Sequence, residues 1–301
     1  MSNIVLLIAC LVLGVVLRAS GKFPDNAPTT INGFIINVAL PALILRHVHS
    51  TEPRMELIGA VLMPWLLFIL GAAVFWSMAQ ALRLSRGTTG ALMMVGGLGN
   101  TSFVGLPMIE TFYGSAYLSI GILIDQLGTY LVLSTLGIAV ACLYSESRAS
   151  PREIGWRIVT FPPLLAMFLA LALIPFAFPE WISATLDRLG ATLAPLALIS
   201  VGMQLRGGAL TANRAALAAG LGFKLFLGPA MLLTVYAGLM REEPSIMRVT
   251  LFEAAMAPQI GASIVAIQHN LNPALVTLMV GVGTILSFVT LPLWWLFLGS
   301  N

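Results

Sequence analysis

Apolar stretches follow one another along almost the whole chain, and each approaches the ~20 residues that a helix needs to cross a bilayer. Of the 301 residues, 58% are hydrophobic and 9% are charged, whereas a soluble domain carries about 25% charged residues. In the bilayer core the backbone must satisfy its own hydrogen bonds, so such stretches fold as helices. The sequence therefore predicts an all-α integral membrane protein.

The chain contains ten such segments, joined by short connections. Their approximate ranges are 3–18, 29–48, 57–82, 88–113, 115–144, 158–178, 181–205, 213–240, 247–269 and 272–299. The most polar connection, 146–157, separates a first five-segment half, 1–145, from a second, 158–301. We interpret this connection as a cytoplasmic linker.

Two of the segments carry residues that interrupt helices. In 88–113 the run from Gly99 to Pro107 reads Gly-Asn-Thr-Ser-Phe-Val-Gly-Leu-Pro, and the second half has Ala-Pro-Gln-Ile-Gly over 257–261. Proline cannot donate to the carbonyl four residues earlier, and freed backbone groups cost several kcal/mol in hydrocarbon unless they line a cavity or pack against protein. Interrupted helices in corresponding places of two halves indicate the substrate site of a secondary transporter. A proline kink with small packing residues is the alternative at either position.

The two halves resemble each other in sequence. Residues 128–136 match 283–291 in their Gly-Thr and Thr-Leu pairs, and 40–43 lies opposite 194–197 at nearly the same offset. Five spans per half is an odd number, so the copies enter the membrane with opposite orientations. The sequence therefore predicts an inverted repeat with broken crossing helices four and nine and a site near the midplane.

The loop cations predict the orientation of the chain. Nine of them follow odd-numbered segments and five follow even-numbered ones: Arg18, Lys22, Arg83, Arg86, Arg148, Arg152, Arg157, Arg206 and Arg214 against Arg46, Arg54, Arg188, Arg241 and Arg248. The positive-inside bias then places both termini outside the cytoplasm.

The crossing of the broken helices is the predicted binding site. Backbone N–H groups after Pro107, from Met108 onward, are expected to lack helical partners, and the positive ends of two half-helices favour an anion. Side-chain amides and hydroxyls lie nearby. The candidate substrate-binding residues are Asn100, Thr101, Ser102, Pro107, Met108, Pro258, Gln259 and Ile260, with Asn37 and Leu40 on a supporting wall.

Charged residues within the spans are functional candidates because each costs ~2.5–3.5 kcal/mol at a helix centre. Asp125 either binds Na⁺ or a proton, or braces the fifth helix. Lys224 either attracts an anion, pairs with Asp125 or Glu253, or extends to the interface. The group assigned to coupling or support of the crossing is Asp125, Gln126, Thr129, Lys224 and Glu253. We expect no metal site and no cofactor beyond a coupling ion.

Several stretches resemble the auxin efflux carrier family and its bacterial members. They are Gly-Val-Val-Leu-Arg at 14–18, Asn-Val-Ala-Leu-Pro-Ala-Leu at 37–43, the run 99–107, Asp-Gln-Leu-Gly-Thr at 125–129, and 287–292 with the tryptophans that follow. The resemblance covers essentially the whole chain. It implies ten helices in the fold of bile-acid symporters and sodium/proton antiporters, with scaffold helices 1, 2, 6 and 7 and an elevator-like transport domain of helices 3, 4, 5, 8, 9 and 10.

The resemblance also implies organic-anion substrates, a homodimer and, for a bacterial member, the inner membrane. Together with the interrupted spans it predicts a secondary transporter of carboxylates, auxin-like or dicarboxylate, that works by alternating access. An uncoupled facilitator or channel, a sodium-coupled bile-acid-type symporter and a membrane-embedded sensor are the alternatives. An enzyme is disfavoured because the sequence has no His-Glu-x-x-His or Gly-x-Ser-x-Gly motif, and we expect no nucleic-acid partner.

Overall fold

The computed structural model describes residues 2–49, 57–145, 156, 160–204, 214–239 and 243–299. Over these ranges the regular elements are helices, without a β-strand. The helices are α1 (Ser2–Ala19), α2 (Ala27–His49), α3 (Leu57–Leu82), α4 (Arg86–Ala91 and a π-helical turn over Leu92–Gly96), α5 (a π-helical turn over Thr101–Gly105, then Leu106–Phe112), α6 (Ser115–Tyr144), α7 (Pro162–Ala172), α8 (Glu180–Gly190), α9 (Leu193–Gln204), α10 (Arg214–Gly238), α11 (Pro244–Ala254), α12 (Ile260–Gln268) and α13 (Pro273–Leu298).

Part of the sequence prediction lies outside the described residues. The linker 146–157 does so apart from Trp156. The same holds for six cations of the orientation count: Arg54, Arg148, Arg152, Arg157, Arg206 and Arg241.

Six helical stretches of the described chain are long and apolar enough to cross a membrane. They are α2, α3, α6, the stretch Glu180–Met203, α10 and α13. Large apolar side chains are exposed on several of the helices, as at Val5 (65%) and Phe297 (68%). This is the pattern of a surface that faces lipid, and it confirms the prediction of an all-helical integral membrane protein.

The helices form two compact units. Unit 1 consists of residues 1–53, 102–122 and 156–205, and unit 2 consists of 54–101, 123–155 and 206–301. Unit 1 thus contains α1, α2, nearly all of α5, the first residues of α6, and α7 to α9. Unit 2 contains α3, α4, the remainder of α6, and α10 to α13.

Glycines allow two helices of unit 1 to pack closely. A Cβ on Gly14 of α1 would lie 2.2 Å from the Ile199 carbonyl oxygen of α9, and one on Gly202 would lie 2.2 Å from the Leu11 oxygen. Close backbone approach through small residues is typical of helix packing in membranes. Packing of this kind between α1 and α9 does not depend on buried charged side chains.

In unit 2, α3 packs against α4, α10, α11 and the π-helical turn of α6. A Cβ on Gly128 of that turn would lie 2.6 Å from Pro64 of α3, so only glycine fits there. The Trp65 indole donates to the Leu127 carbonyl (3.2 Å), and the Tyr236 hydroxyl donates to the Gly59 carbonyl (2.6 Å). The contacts of Gly128 and Leu127 fix the part of α6 that carries Asp125, and the Tyr236 bond joins α10 to α3.

Candidate substrate site in unit 2

Two non-helical segments of unit 2 pair with each other in the interior. They are residues 98–100, after α4, and residues 255–259, between α11 and α12; we call them the bridge segments. Gly99 and Pro258 form an antiparallel bridge. The Asn100 N–H donates to the Ala257 carbonyl (2.7 Å), and the Gln259 N–H donates to the Leu98 carbonyl (3.1 Å). Backbone groups that a helix would otherwise satisfy are therefore satisfied by the opposite segment, as burial in a membrane requires.

Glycines make room for this pairing. A Cβ on Gly99 would lie 3.1 Å from Lys224 Nζ, and a Cβ on Gly283 of α13 would lie 2.6 Å from Pro258 Cδ. A larger residue at position 283 would push Pro258 away from α13, whereas one at position 99 would displace the Lys224 ammonium.

The first interruption covers only the start of the run Gly99–Pro107 that the sequence marked, because the non-helical residues are 98–100. Helical backbone resumes at Thr101, well before Pro107, and Pro107 is the second residue of the α-helical part of α5. Gly105 keeps helical angles (φ −60°, ψ −58°). The expectation of freed N–H groups from Met108 onward is wrong for this reason: the π-helical turn over Thr101–Gly105 leads the chain into the proline without a break.

Asp125 is held by two neighbours that the sequence had singled out. The Thr101 hydroxyl donates to one carboxylate oxygen (2.5 Å), and the Gln126 amide donates to the other (2.7 Å). All three side chains are at most 4% exposed. The Gln126 Oε1 and the hydroxyl of Thr129, one turn further along, are buried without a hydrogen-bond partner among the described residues.

Lys224 and Glu253 are fully buried, both at 0% exposure. The Lys224 ammonium donates to the Ala254 carbonyl (2.8 Å) at the end of α11. Glu253 is attracted by Lys224 and repelled by Asp125. Neither of its carboxyl oxygens has a hydrogen-bond partner in the described part of the chain. A buried carboxyl of this kind is costly, and the pairing of Lys224 with Glu253 is one of the alternatives the sequence left open.

Gln259 stands directly before α12 in an extended conformation (φ −73°, ψ 131°) and makes no capping bond with its side chain. Its Oε1 is buried without a hydrogen-bond partner within the described ranges. The N–H of Ser263 is bonded to the Gln259 carbonyl (3.1 Å), so the first N–H groups of α12, beginning with Ile260, have no carbonyl within the helix. This helix end carries a partial positive charge.

The structure brings most of the predicted site residues together in unit 2. These are Asn100, Thr101, Asp125, Gln126, Thr129, Lys224, Glu253, Pro258, Gln259 and Ile260. The other five lie in unit 1: Ser102, Pro107, Met108, Asn37 and Leu40. Asn37 is exposed and donates to the Gly33 carbonyl of its own helix (2.8 Å), whereas Leu40 is buried. Their roles stay predictions.

Two buried hydroxyls of unit 2 that lack a hydrogen-bond partner were not selected from the sequence. The hydroxyls of Thr284 and Thr290 on α13 lack a hydrogen-bond partner among the described residues, at 0% and 6% exposure. Both belong to the repeated stretch 283–291. A hydroxyl within a long apolar span was the signal that could have identified them. In the described chain no three His, Cys, Asp or Glu side chains are grouped as a metal site.

Membrane-spanning helices with charged residues buried beside paired non-helical segments define a membrane transporter. The family model described as "Membrane transport protein" matches residues 1–295. The chain is 31% identical over 291 residues to an uncharacterized transporter of Methanothermobacter thermautotrophicus, covering 94% of this chain and 93% of that one. It is 24% identical over 307 residues to an uncharacterized transporter of Methanocaldococcus jannaschii, covering 98% of each.

The chain therefore belongs to the membrane transport protein family, which is the auxin efflux carrier family that its motifs resemble. The predicted family is confirmed. It is a family of transporters and not of enzymes. Both relatives come from archaea, and the assignment to a bacterial inner membrane stays a prediction.

Proposed function

We propose that the protein is a secondary transporter of small organic anions, carboxylates above all, and that the anion binds at the bridge segments of unit 2. The observation that carries the proposal is the pairing of two non-helical segments beside three buried charged side chains, Asp125, Lys224 and Glu253. Irregular backbone at membrane depth is tolerated where it lines a cavity or a ligand site. A kink that only helps helices to pack would need none of these charges.

An anion is favoured by the groups around the bridge. The amino end of α12 presents N–H groups, Gln259 and Asn100 supply side-chain amides, and Lys224 lies next to Gly99. A helix end favours a negative charge by ~0.3–1 kcal/mol, and by more when water is excluded. The apolar surroundings suit an aliphatic or an aromatic body.

We further propose that the bridge is the crossing of broken helices four and nine of an inverted ten-helix repeat. Its support is the antiparallel direction of the Gly99–Pro258 pair together with the sequence match between the halves. In alternating access the helices of unit 2 would carry the site through the membrane. Unit 2 contains part of the transport domain that the family resemblance implies, while residues 102–122 of its helices four and five belong to unit 1. The homodimer and the outward termini are part of the same proposal.

Glu253 is the group that we assign to coupling. The oxygens of Asp125 already accept bonds from Thr101 and Gln126, so Asp125 braces α6 against the start of α5, directly after the first bridge segment. The Glu253 oxygens have no such bonds from the described residues. A hard metal cation needs several oxygen ligands arranged around it, whereas a proton needs only one carboxyl oxygen, such as either one of Glu253. A proton is therefore favoured over Na⁺ as the coupling ion.

The experiment is a measurement of substrate-evoked currents across proteoliposomes. Malate, malonate, indole-3-acetate and a bile acid are each applied with and without gradients of Na⁺ and of pH. We expect a saturable current with one class of acid that depends on the pH gradient. A saturable current that depends on Na⁺ would favour the symporter, and a non-saturating current that ignores both gradients would favour a channel.

Two variants distinguish the residue that couples transport to the pH gradient from the residue that supports the substrate site. Glu253→Gln keeps the shape of the side chain and should abolish the dependence on the pH gradient while exchange of substrate across the membrane persists. Asp125→Asn should weaken substrate binding and leave the gradient dependence in place. The reverse assignment of these two effects would make Asp125 the coupling residue.

A further inference from the structure

An open cleft of about 570 Å³ lies in unit 2, apart from the bridge segments. Its lining includes Trp76, Gln80, Arg83, Arg86, Leu143 and Tyr144. The cleft thus contains two guanidinium groups, and no carboxylate is among the described residues that line it. A cleft with two cations and no anion of its own suits an anionic ligand.

Arg83 is set into this cleft by an unusual backbone conformation. It has φ 51°, in the left-handed region, directly after the last residue of α3. The Leu84 N–H closes the helix by donating to the Ala79 carbonyl (3.1 Å). Glycine is the usual residue at such a helix end, and a side chain there costs roughly 1–2 kcal/mol. The sequence keeps an arginine at this position in spite of that cost.

Arg86 is held from both sides. Its guanidinium donates to the Leu143 carbonyl and lies over the Tyr144 ring, 5.8 Å from the ring centroid. The hydrogen bond and the cation–π contact fix its orientation, so less side-chain entropy is lost when an anion binds.

The cleft lies at the end of α3, a helix that is long and apolar enough to cross a membrane. The end of such a helix is where lipid headgroups are expected. Trp76 is 54% exposed and Leu143 is 66% exposed beside the two arginines. Tryptophan next to exposed apolar residues and cations is typical of the boundary between acyl chains and headgroups.

We propose that this cleft binds the phosphate of an anionic phospholipid, with Arg83 and Arg86 on the phosphate and Trp76 and Leu143 against the glycerol and the upper acyl chains. Arginine presents a planar fork of donors to phosphate oxygens. The exposed apolar lining favours a lipid over free phosphate, because inorganic phosphate has no apolar part that could pack against it. The proposal stands independently of the transported substrate.

The test is lipid binding to the full chain in detergent, measured by native mass spectrometry with phosphatidylglycerol, phosphatidylcholine and inorganic phosphate. Arg83→Gly removes the guanidinium and keeps the left-handed turn, since glycine adopts it freely. Arg86→Gln removes the second charge. Arg188→Gln, at an exposed arginine of α8 in unit 1, is the matched control.

We expect the Kd for phosphatidylglycerol to rise about fivefold for each arginine removed and about thirtyfold for both, from about 1 kcal/mol per basic group. Arg188→Gln should leave it unchanged, and phosphatidylcholine should bind more weakly than phosphatidylglycerol to the wild-type protein. Equal Kd values for the wild type and the double variant would overturn the proposal. So would inorganic phosphate displacing the lipid at an equal concentration, which would make the site one for the free ion.

A second readout locates the lipid. Phosphatidylglycerol with brominated chains should quench part of the tryptophan fluorescence, and that part should disappear in Trp76→Phe and in the double arginine variant. Quenching that is the same in Trp76→Phe as in the wild type would place the lipid elsewhere and contradict the assignment.

Discussion

Unit 1 and unit 2 treat charge in opposite ways. In unit 1 two ion pairs lie near the surface, Arg18 with Asp25 at 2.7 Å and Arg46 with Asp187 at 2.9 Å, with side chains that are 26% to 90% exposed. In unit 2 three charged side chains are at most 4% exposed, and they are the only buried charged residues of the described chain.

The difference indicates that unit 1 is held together by helix packing alone, whereas unit 2 also contains residues with a functional role. The contact between α1 and α9 in unit 1 relies on glycines and apolar side chains, which are enough to hold helices together in a membrane. Unit 2 also contains close helix contacts through glycine, such as that of Gly128 with Pro64. It nevertheless buries Asp125, Lys224 and Glu253, and such residues in a membrane generally mark a substrate or ion pathway.

The largest effect is expected from removing the buried cation of unit 2. Lys224→Met removes the cation that attracts Glu253 and also the hydrogen bond to the Ala254 carbonyl (2.8 Å), and leaving a buried charge uncompensated costs about 3–5 kcal/mol. The free energy of unfolding in mixed micelles measures it. The double variant Lys224→Met/Glu253→Gln should recover much of the loss, while Lys22→Met, at an exposed lysine of unit 1, should change little. If Lys224→Met is as stable as Lys22→Met, the two units do not differ in the way described.

A smaller loss is expected at Thr101. Thr101→Val removes the hydroxyl that donates to Asp125 (2.5 Å), and a hydrogen bond to a charged group contributes about 1.5–3 kcal/mol. The same unfolding measurement checks it. Thr111→Val is the matched control, since the Thr111 hydroxyl bonds only to a carbonyl of its own helix in unit 1, Pro107 O at 2.8 Å. Equal losses in the two variants would argue against a special role for the buried acid.

The stability of unit 1 should depend on the size of the side chains at its helix contacts and not on their charge. Gly14→Ala places a Cβ 2.2 Å from the Ile199 carbonyl oxygen, and overpacking of this kind typically costs about 1–3 kcal/mol. Gly33→Ala in α2, where a Cβ meets nothing within 4 Å, should be neutral or slightly stabilising because alanine favours helix. Thermal unfolding of the two variants side by side gives the comparison, and a Gly14→Ala variant as stable as Gly33→Ala would contradict it.

The smallest effect is expected from the surface ion pairs of unit 1. Asp187→Asn removes the charge that faces Arg46 across 2.9 Å, where both side chains are partly exposed. Such pairs contribute about 0–1 kcal/mol. A loss as large as that of Lys224→Met would show that charge matters equally in both units.

The bounds of the long apolar helices could be predicted closely from the sequence because apolar composition delimits a membrane span, whereas the predicted segment 181–205 is divided into α8 and α9. The third segment was predicted at 57–82 and the helix spans Leu57–Leu82, and 272–299 corresponds to Pro273–Leu298. The position of the first interruption could not be predicted in this way. It depends on hydrogen bonds from 98–100 to residues more than 150 positions later in the chain, whereas Pro107 is visible locally.

The same distinction applies to the candidate site. Asp125, Lys224 and Glu253 stand out because a charge is rare in an apolar span. Their partners do not: Thr101 reaches Asp125 and Lys224 reaches the end of α11 only through the packing of α4, α6, α10 and α11. The hydroxyls of Thr284 and Thr290 were overlooked because threonine is common in such helices.

The central claim is that the bridge segments of unit 2 bind the transported anion, and the half-saturation concentration of the substrate-evoked current in Asn100→Ala tests it most directly. Asn100 is 1% exposed and its N–H is part of the bridge. Asn26→Ala, at an exposed position of unit 1, is the control. The account predicts a half-saturation concentration raised at least about tenfold, the loss of about 1.4 kcal/mol of binding, in Asn100→Ala and an unchanged value in Asn26→Ala. The same value in both variants and the wild type would contradict it.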